Sequence, residues 1–521
     1  MPRKEENKPL SFSTTMRNPA RIANFLQIIS VYEGQILTNN VINEIVISLI
    51  QHKLYVPMIV SRNSLWRSKL ESDDPFDRKA AIKIMEKSPQ SHKEAGFDKG
   101  WPSRFDTWYK LPMEFGFVYY EMNKPIQIST TGHMLIDAIR EDTPNDEKIQ
   151  KVFLNAMMKY QTNNPFRKNA NDNVPLPLLL NVIKLLKDDP EEKGAGVFRS
   201  ELSFIICSPD NDAYKLYMLI KSLRKRYKFT YGDEVIYEIC LEMLGATEEQ
   251  KNRFKMSQIT GEAVDEFIRK MRITGVVSLR GNGRFLDFNM FEIDNINYIL
   301  QNYTTYKKYD SKEAYFSYMG EIDSNILQNA HVAVDQMEEV KQQTLLNWAK
   351  NNTFDMLVDE LKFACGRGES VNNTLRIIDK PTRFEFLISV ILKHKFPELV
   401  VKPNYKVDDE GLPIFTAAGG MADIECFDSD SNPLVEVTLM SSRNQATNEI
   451  PAITRHLQEA IQKYPDKFVF TAFIAPHIHQ DTLYMTAFSK QHYGVDIVAQ
   501  NVDDFIEFVR NANQLRDMVN S

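Results

Sequence analysis

The chain has 521 residues, 43% of them hydrophobic and 11% aromatic, enough for about two to four domains with buried cores. A net charge of −7 with 26% charged residues excludes a chain that is basic throughout, and no apolar run of about 18 residues predicts a membrane-spanning helix. The opening "MPRKEENKPLSF" lacks the apolar core of a secretory leader. Cys207, Cys240, Cys365 and Cys426 are far apart and form no CxxC, which predicts isolated buried thiols in a reducing cytoplasm.

In chain order, a helix is expected after Asn18, with Pro19 at its start. A break follows at Gly34, and Thr38 caps a second helix with Val41, Ile42, Ile45 and Leu49 at helical spacing. The pair reads as a helix-turn-helix or as an ordinary αα-hairpin. Residues 61–110 mix basic side chains with Trp66, Trp101, Phe105, Trp108 and Tyr109. Two strands and a helix from near Thr131 come next, then helical periods over 145–165, 174–188 and 211–226. The last ends in "KSLRKRYK", where Lys221, Arg224, Lys225, Arg226 and Lys228 form either a solvated face or a phosphate contact.

Thr260 is expected to cap a helix ending near Ile273. "VVSL" and "RFLDF" then form a hairpin around "RGNGR", whose glycines supply the positive φ a tight turn needs. A helix followed by such a hairpin suggests a winged helix, with Arg280, Asn282 and Arg284 at the wing tip and Arg224 and Arg226 as further DNA contacts. A plain surface hairpin is the alternative. Residues 303–364 read as a connecting helical region, and "GRGES" (Gly366–Ser370) as a boundary.

Residues 366–521 carry 15 basic and 21 acidic side chains, so the acidity is concentrated in this third. "PTRFEFLISVILKHKF" predicts a helix, "GLPIFTAAGG" a strand and turn, and "MADIECF" and "LVEVTLM" two strands joined by "DSDSN". "NEIPAITRHLQEAIQKY" is an amphipathic helix with Ile450, Ile453, Leu457, Ala460 and Ile461 inward. "KFVFTAFIAP" is a strand covered on both faces, "GVDIVAQNV" another, and "DDFIEFVRNAN" a closing helix. Alternation puts Asp423 and Glu425 on one face of their strand, and Glu436 and Thr438 on one face of theirs.

Phosphate loops, dinucleotide fingerprints, nucleophile elbows and HExxH helices are all missing from the sequence, and His477 with His479 is a weak metal signal. The acidic strand pair is the strongest chemical signal. Neighbouring acids repel unless a cation bridges them, and carboxylate oxygens suit Mg²⁺. Asp423 and Glu436 with the Val437 carbonyl are a candidate metal site. The alternative is two acids on a solvated sheet face.

The order helix, three strands, helix, strand, with an acid on one strand and an acid two residues before the lysine position on the next, resembles the PD-(D/E)xK nuclease core, with Thr438 replacing the lysine. "PTRFEF", "GGMADIECF", "LVEVTL" and "NEIPAITRHL" together resemble the AlwI-type family of type IIS restriction endonucleases, which includes strand-nicking members; "LRGNGRFLDF" is also similar. The resemblance implies a multidomain α+β chain. It would have a helical, winged-helix-like recognition part (subdomains 1–140 and 141–300), a helical linker (301–365) and an α/β nuclease core (366–521) with a mixed central sheet flanked by helices. It implies catalytic Glu385, Asp423, Glu436 and Glu449, with Asp423, Glu436, Val437 and Glu449 holding one or two Mg²⁺. It further implies a site-specific deoxyribonuclease acting on double-stranded DNA, located in a prokaryotic cytoplasm, with a cognate DNA methyltransferase and a transient homodimer or second nuclease subunit for double-strand cleavage. A strand-specific nicking enzyme and a non-catalytic winged-helix DNA-binding protein are the competing readings. Arg455 and His456 are possible phosphate contacts, and Glu425 stays unassigned.

Overall fold

The computed structural model describes residues 6–12, 19–71, 75–140, 145–167, 169–192, 194, 196–247, 253–328, 334–417 and 420–520. Its contacts divide the chain into two units. One comprises Met1–Tyr55, Arg78–Glu141 and Asn145–Val332; the other comprises Val56–Asp77, Asp142–Pro144 and Ala333–Ser521. Among the described residues no helix is long and apolar enough to cross a membrane. All four cysteines are free thiols, three of them buried.

The first unit is mainly helical. Helix α1 (Pro19–Ser30) starts at its proline, and Thr38 caps α2 (Asn39–Gln51) by accepting a hydrogen bond from the Val41 amide at 3.3 Å. Six apolar residues of α2 are buried, and only Asn40 of this helix is exposed. The aromatic cluster of the 61–110 stretch serves the core. Trp101, Phe105, Trp108 and Tyr109 line the buried side of α3 (Trp101–Glu114), and the Tyr109 hydroxyl donates to the Phe25 carbonyl at 3.0 Å. Strands β1 (Val118–Tyr119) and β2 (Gln127–Ile128) pair antiparallel and lead into α4 (Thr130–Arg140). The three helical periods become α5 (Asp146–Lys159), α6 (Pro175–Asp188) and α7 (Ala213–Tyr227).

Helix α8 (Ala263–Arg272) corrects one expectation. Thr260 does not cap it, because a π-helical turn (Gln258–Glu262) precedes the helix and the Thr260 hydroxyl donates back to the Met256 carbonyl at 3.1 Å. The hairpin forms where it was expected. Strands β4 (Val277–Arg280) and β5 (Phe285–Phe288) join β3 (Val197–Phe198) in an antiparallel sheet of order β3-β5-β4. Gly281, Asn282 and Gly283 all take positive φ at its tip.

In the second unit, helices α9 (Val334–Asn351), α10 (Phe354–Ala364) and α11 (Lys380–Lys395) share a core through Leu345, Leu357, Leu361, Leu387 and Ile391. The "GRGES" turn lies inside this unit. Arg367 pairs with Asp503 at 2.7 Å, and Ser370 donates to Glu360 at 2.9 Å. The remaining elements are β6 (Val400–Pro403), β7 (Tyr405–Val407), β8 (Pro413–Ala417), β9 (Ile424–Phe427), β10 (Leu434–Val437), α12 (Ile450–Lys463), β11 (Thr471–Ala475), α13 (Gln480–Tyr493), β12 (Ile497–Asn501) and α14 (Val502–Asn511).

A mixed five-stranded sheet of order β12-β11-β10-β9-β6 organises the unit. Strands β10, β11 and β12 run parallel, while β9 and β6 pair antiparallel. Odd-even alternation divides two cores. Ile424, Cys426, Val435, Ala472 and Ile474 pack on the side of α11, while Leu434, Phe473 and Ala475 pack with Ile450, Ile453 and Leu457 of α12. All five residues of β11 are buried, as a strand covered on both faces requires. The inward stripe of α12 ends at Ala460; Ile461, expected inside, sits in the last turn and is 37% exposed.

Candidate active site

The register that joins β9 to β10 sets Leu434 opposite Glu425 and Val435 opposite Ile424, so Asp423 and Glu436 meet at the same end of the pair. Asp423 Oδ2 accepts from the Val437 amide at 2.7 Å, and Glu436 Oε2 lies 3.4 Å from the Asp423 amide. Asp423 Oδ1 has no hydrogen-bond partner among the described residues. Glu385, one turn into α11 and 4% exposed, accepts from the Ala417 amide of β8 at 3.0 Å. Glu449 closes a π-helical turn (Gln445–Glu449) that runs into α12. It therefore stands one wound turn inside, where the helix dipole assists a carboxylate less than in a free first turn. Its carboxylate makes no hydrogen bond among the described residues.

These acids act on one another. Burial pushes the Asp423 carboxyl well above the usual range, and Glu385, Glu436 and Glu449 push it further, against the opposing Val437 amide. Burial also raises Glu436, with His456 pulling the other way, and raises Glu449, with Glu436 adding to it. The four acids predicted from the sequence thus belong to one cluster. Glu425 does not enter it; it acts instead on Lys463.

The sequence did not reveal two supporting residues in these roles. His456 Nδ1 is 3.0 Å from Glu436 Oε1, and this bond raises the imidazole above its ordinary value. The signal was available: His456 lies seven residues after Glu449, two helical turns along and on the same side of α12. Gln445 is fully buried. Its amide donates to the Met440 and His477 carbonyls at 2.8 and 2.7 Å, and its carbonyl accepts from the His479 amide and the Thr482 hydroxyl at 3.0 and 2.9 Å. It fixes the turn that presents Glu449. Thr438, at the lysine position, accepts from the Met440 amide at 3.2 Å and shapes the end of β10. Arg455 is exposed. His479 caps α13 by accepting from the Asp481 amide at 3.1 Å, so it is committed to the fold.

Among the described residues no three His, Cys, Asp or Glu side chains already converge as a chelate. The donor set nevertheless fits a hard divalent cation: it consists of carboxylate oxygens, with Asp423 Oδ1 and both oxygens of Glu449 unengaged and mutual repulsion for a cation to relieve.

In the first unit, the expected DNA contacts divide. Arg224 is buried, 5% exposed, with hydrogen bonds to Glu201 at 2.8 and 2.7 Å, Glu192 at 2.9 Å and the Gly196 carbonyl at 2.6 Å. It braces the fold and offers no surface. Arg280 folds back on its own hairpin through Asp287 at 3.2 Å and the Phe288 carbonyl at 2.9 Å. Asn282, Arg284 and Arg226 are exposed.

A carboxylate cluster on adjoining strands and flanking helices is the donor chemistry of metal-assisted hydrolases. The chain belongs to the AlwI restriction endonuclease family, whose model matches residues 113–353 and 324–507. It is accordingly a restriction endonuclease, a site-specific nuclease that acts on DNA. Among solved structures it is similar to the small subunit of the heterodimeric restriction endonuclease R.BspD6I, with 25% identity over 30% of this chain and 77% of that one and a TM-score of 0.25. It is also similar to the restriction endonuclease FokI, with 11% identity over 99% and 97% of the two chains and a TM-score of 0.23. The same enzyme bound to DNA gives 12% identity, 98% of each chain and a TM-score of 0.23. No curated protein matches the chain.

Proposed function

We propose that the chain is a Mg²⁺-dependent type IIS restriction endonuclease with a PD-(D/E)xK-type core, binding a short asymmetric DNA site through residues 1 to about 300 and hydrolysing phosphodiester bonds outside it with the acids of 366–521. The observation that carries this reading is the repelling cluster of Glu385, Asp423, Glu436 and Glu449, in which Asp423 keeps one oxygen open. Asp423, Glu436, Glu449 and the Val437 carbonyl would hold one or two cations. When bound, such a cation supplies positive charge beside the scissile phosphate and acidifies a neighbouring water.

The chain's own groups do the positioning. The Val437 amide orients Asp423, and His456 holds one oxygen of Glu436. Glu385 ties α11 to β8. Glu449, desolvated and without a hydrogen-bond partner among the described residues, would accept a proton from the attacking water. One such site cuts one strand, so cleavage of both strands requires a second nuclease copy or subunit, and a chain acting alone is a nicking enzyme. A cognate methyltransferase would protect the host's own sites.

Digestion of a random-sequence DNA library with Mg²⁺, with the ends of both strands sequenced, tests this reading. The expected result is one motif at a constant distance from the ends. Ends with no shared motif would overturn it.

A further inference from the structure

Two helices that the sequence offers as candidate groove readers present few exposed side chains. Helix α2 exposes only Asn40, and α8 exposes no residue, with Glu266, Lys270 and Arg272 buried at 4%, 1% and 5%. Helix α7 is different. Leu216, Tyr217, Ile220, Leu223 and Arg224 face inward. Tyr214, Lys215, Met218, Ser222, Lys225 and Arg226 are exposed, and at about 100° per residue they fall within one arc of roughly 120°. This arc contains no acid. Tyr214 is 60% and Met218 46% exposed. Lys215 reaches Asp210 at 3.4 Å, whereas Lys225, Arg226 and Lys228 make no ion pair among the described residues.

The exit from α7 joins this face to the β4–β5 hairpin. Lys228 and Phe229 are successive non-glycine residues in left-handed conformation, at φ +48° and +67°. Such backbone persists only where its surroundings enforce it. Here the Phe229 ring lies 5.6 Å from both Phe198 and Phe285, with the Arg224 guanidinium 4.9 Å from its centre. Phe285 opens β5, next to the exposed Arg284.

We propose that the outward face of α7 is the base-reading element for double-stranded DNA, with the hairpin tip at 281–284 resting on the adjoining phosphates. This rests on the function proposed above and locates where the sequence is read. The face suits the task chemically. A major groove about 12 Å wide admits a helix; the Ser222 hydroxyl, which donates to the Leu219 carbonyl at 2.7 Å, can accept from a base edge, the Lys225 ammonium can donate to one, and Met218 and Tyr214 suit a thymine methyl. Lys228 and Arg284 match phosphate charge without specifying a base.

The test uses the full chain carrying Ser222→Ala, Met218→Ala or Lys225→Ala, and separately Arg284→Ala, each digesting the random library and each titrated with DNA from 50 to 200 mM salt. The α7 variants are expected to alter the preferred base at one or two positions, with discrimination there falling about tenfold or more, while Ser222→Thr, which keeps the hydroxyl, retains the preference. Arg284→Ala is expected to weaken all sequences evenly and to lower the salt slope by about one phosphate. Unaltered base preference in every α7 variant overturns the assignment, whether affinity is kept or evenly reduced. Wild-type ends without a motif overturn the underlying function first, before any variant is compared.

Discussion

Single side chains hold the cluster together, and each makes a different prediction. Glu436→Gln removes one charge from the centre of the cluster and should lower cleavage by about 10³-fold, equivalent to several kcal/mol of lost charge stabilisation, while DNA affinity measured in Ca²⁺ stays near wild type. His456→Ala frees Glu436 Oε1 and should weaken binding of a divalent ion by about 10- to 100-fold, read by calorimetry with Ca²⁺; His456→Asn, which keeps a donor near the Nδ1 position, should recover part of it. Arg224→Ala strands Glu201 in the interior and should destabilise the first unit by about 3–5 kcal/mol. Arg226→Ala, on the exposed side of the same helix, should leave the melting midpoint unchanged. Asp423 and Glu436 were legible in the sequence through the alternation of their strands, whereas Glu385 and Glu449 entered with the family resemblance. Arg224 was not legible, since a basic run does not say which of its members faces Glu201.

Elements were legible where their apolar residues point inward. The stripe Ile450, Ile453 and Leu457 defines α12, and the unbroken apolar run of β11 marks a strand covered on both faces. Helix α13 escaped because its large apolar residues point outward: Leu483, Tyr484, Phe488 and Tyr493 are 43%, 65%, 43% and 54% exposed, while Thr482, Thr486 and Ser489 are buried. Strands β6 and β7 were also missed, being short and separated only by Asn404 after Pro403. Gln445 shows what spacing cannot give, since three of its four partners lie more than thirty residues away, at His477, His479 and Thr482. Gln445→Leu should lower the melting midpoint of the second unit and also weaken Ca²⁺ binding, because the turn bearing Glu449 loses its anchor.

Across the whole molecule, pH and metal should act on one unit. Asp423, Glu436 and Glu449 are all raised in the folded state. The folded protein therefore holds protons that the unfolded chain releases from about pH 4 upward. Stability contributed by this cluster is greatest below that pH and declines as pH rises towards the folded values. In calorimetry without metal, the transition of the second unit should move down between pH 5 and 8. Mg²⁺ should raise it most at the alkaline end and little at pH 5, and Glu449→Gln should flatten the pH trend. A cluster that kept its midpoint constant over this range, with and without Mg²⁺, would show that these acids neither repel nor bind.

The hydrogen bond from the Val437 amide to Asp423 has an evolutionary consequence. Its donor belongs to the main chain, so any amino acid but proline at position 437 supplies it. The orientation of the central acid is thereby insulated from genetic drift at the neighbouring codon. A different side chain at 437 would leave the aspartate aimed, and Val437→Ala should accordingly be tolerated where Val437→Pro is not.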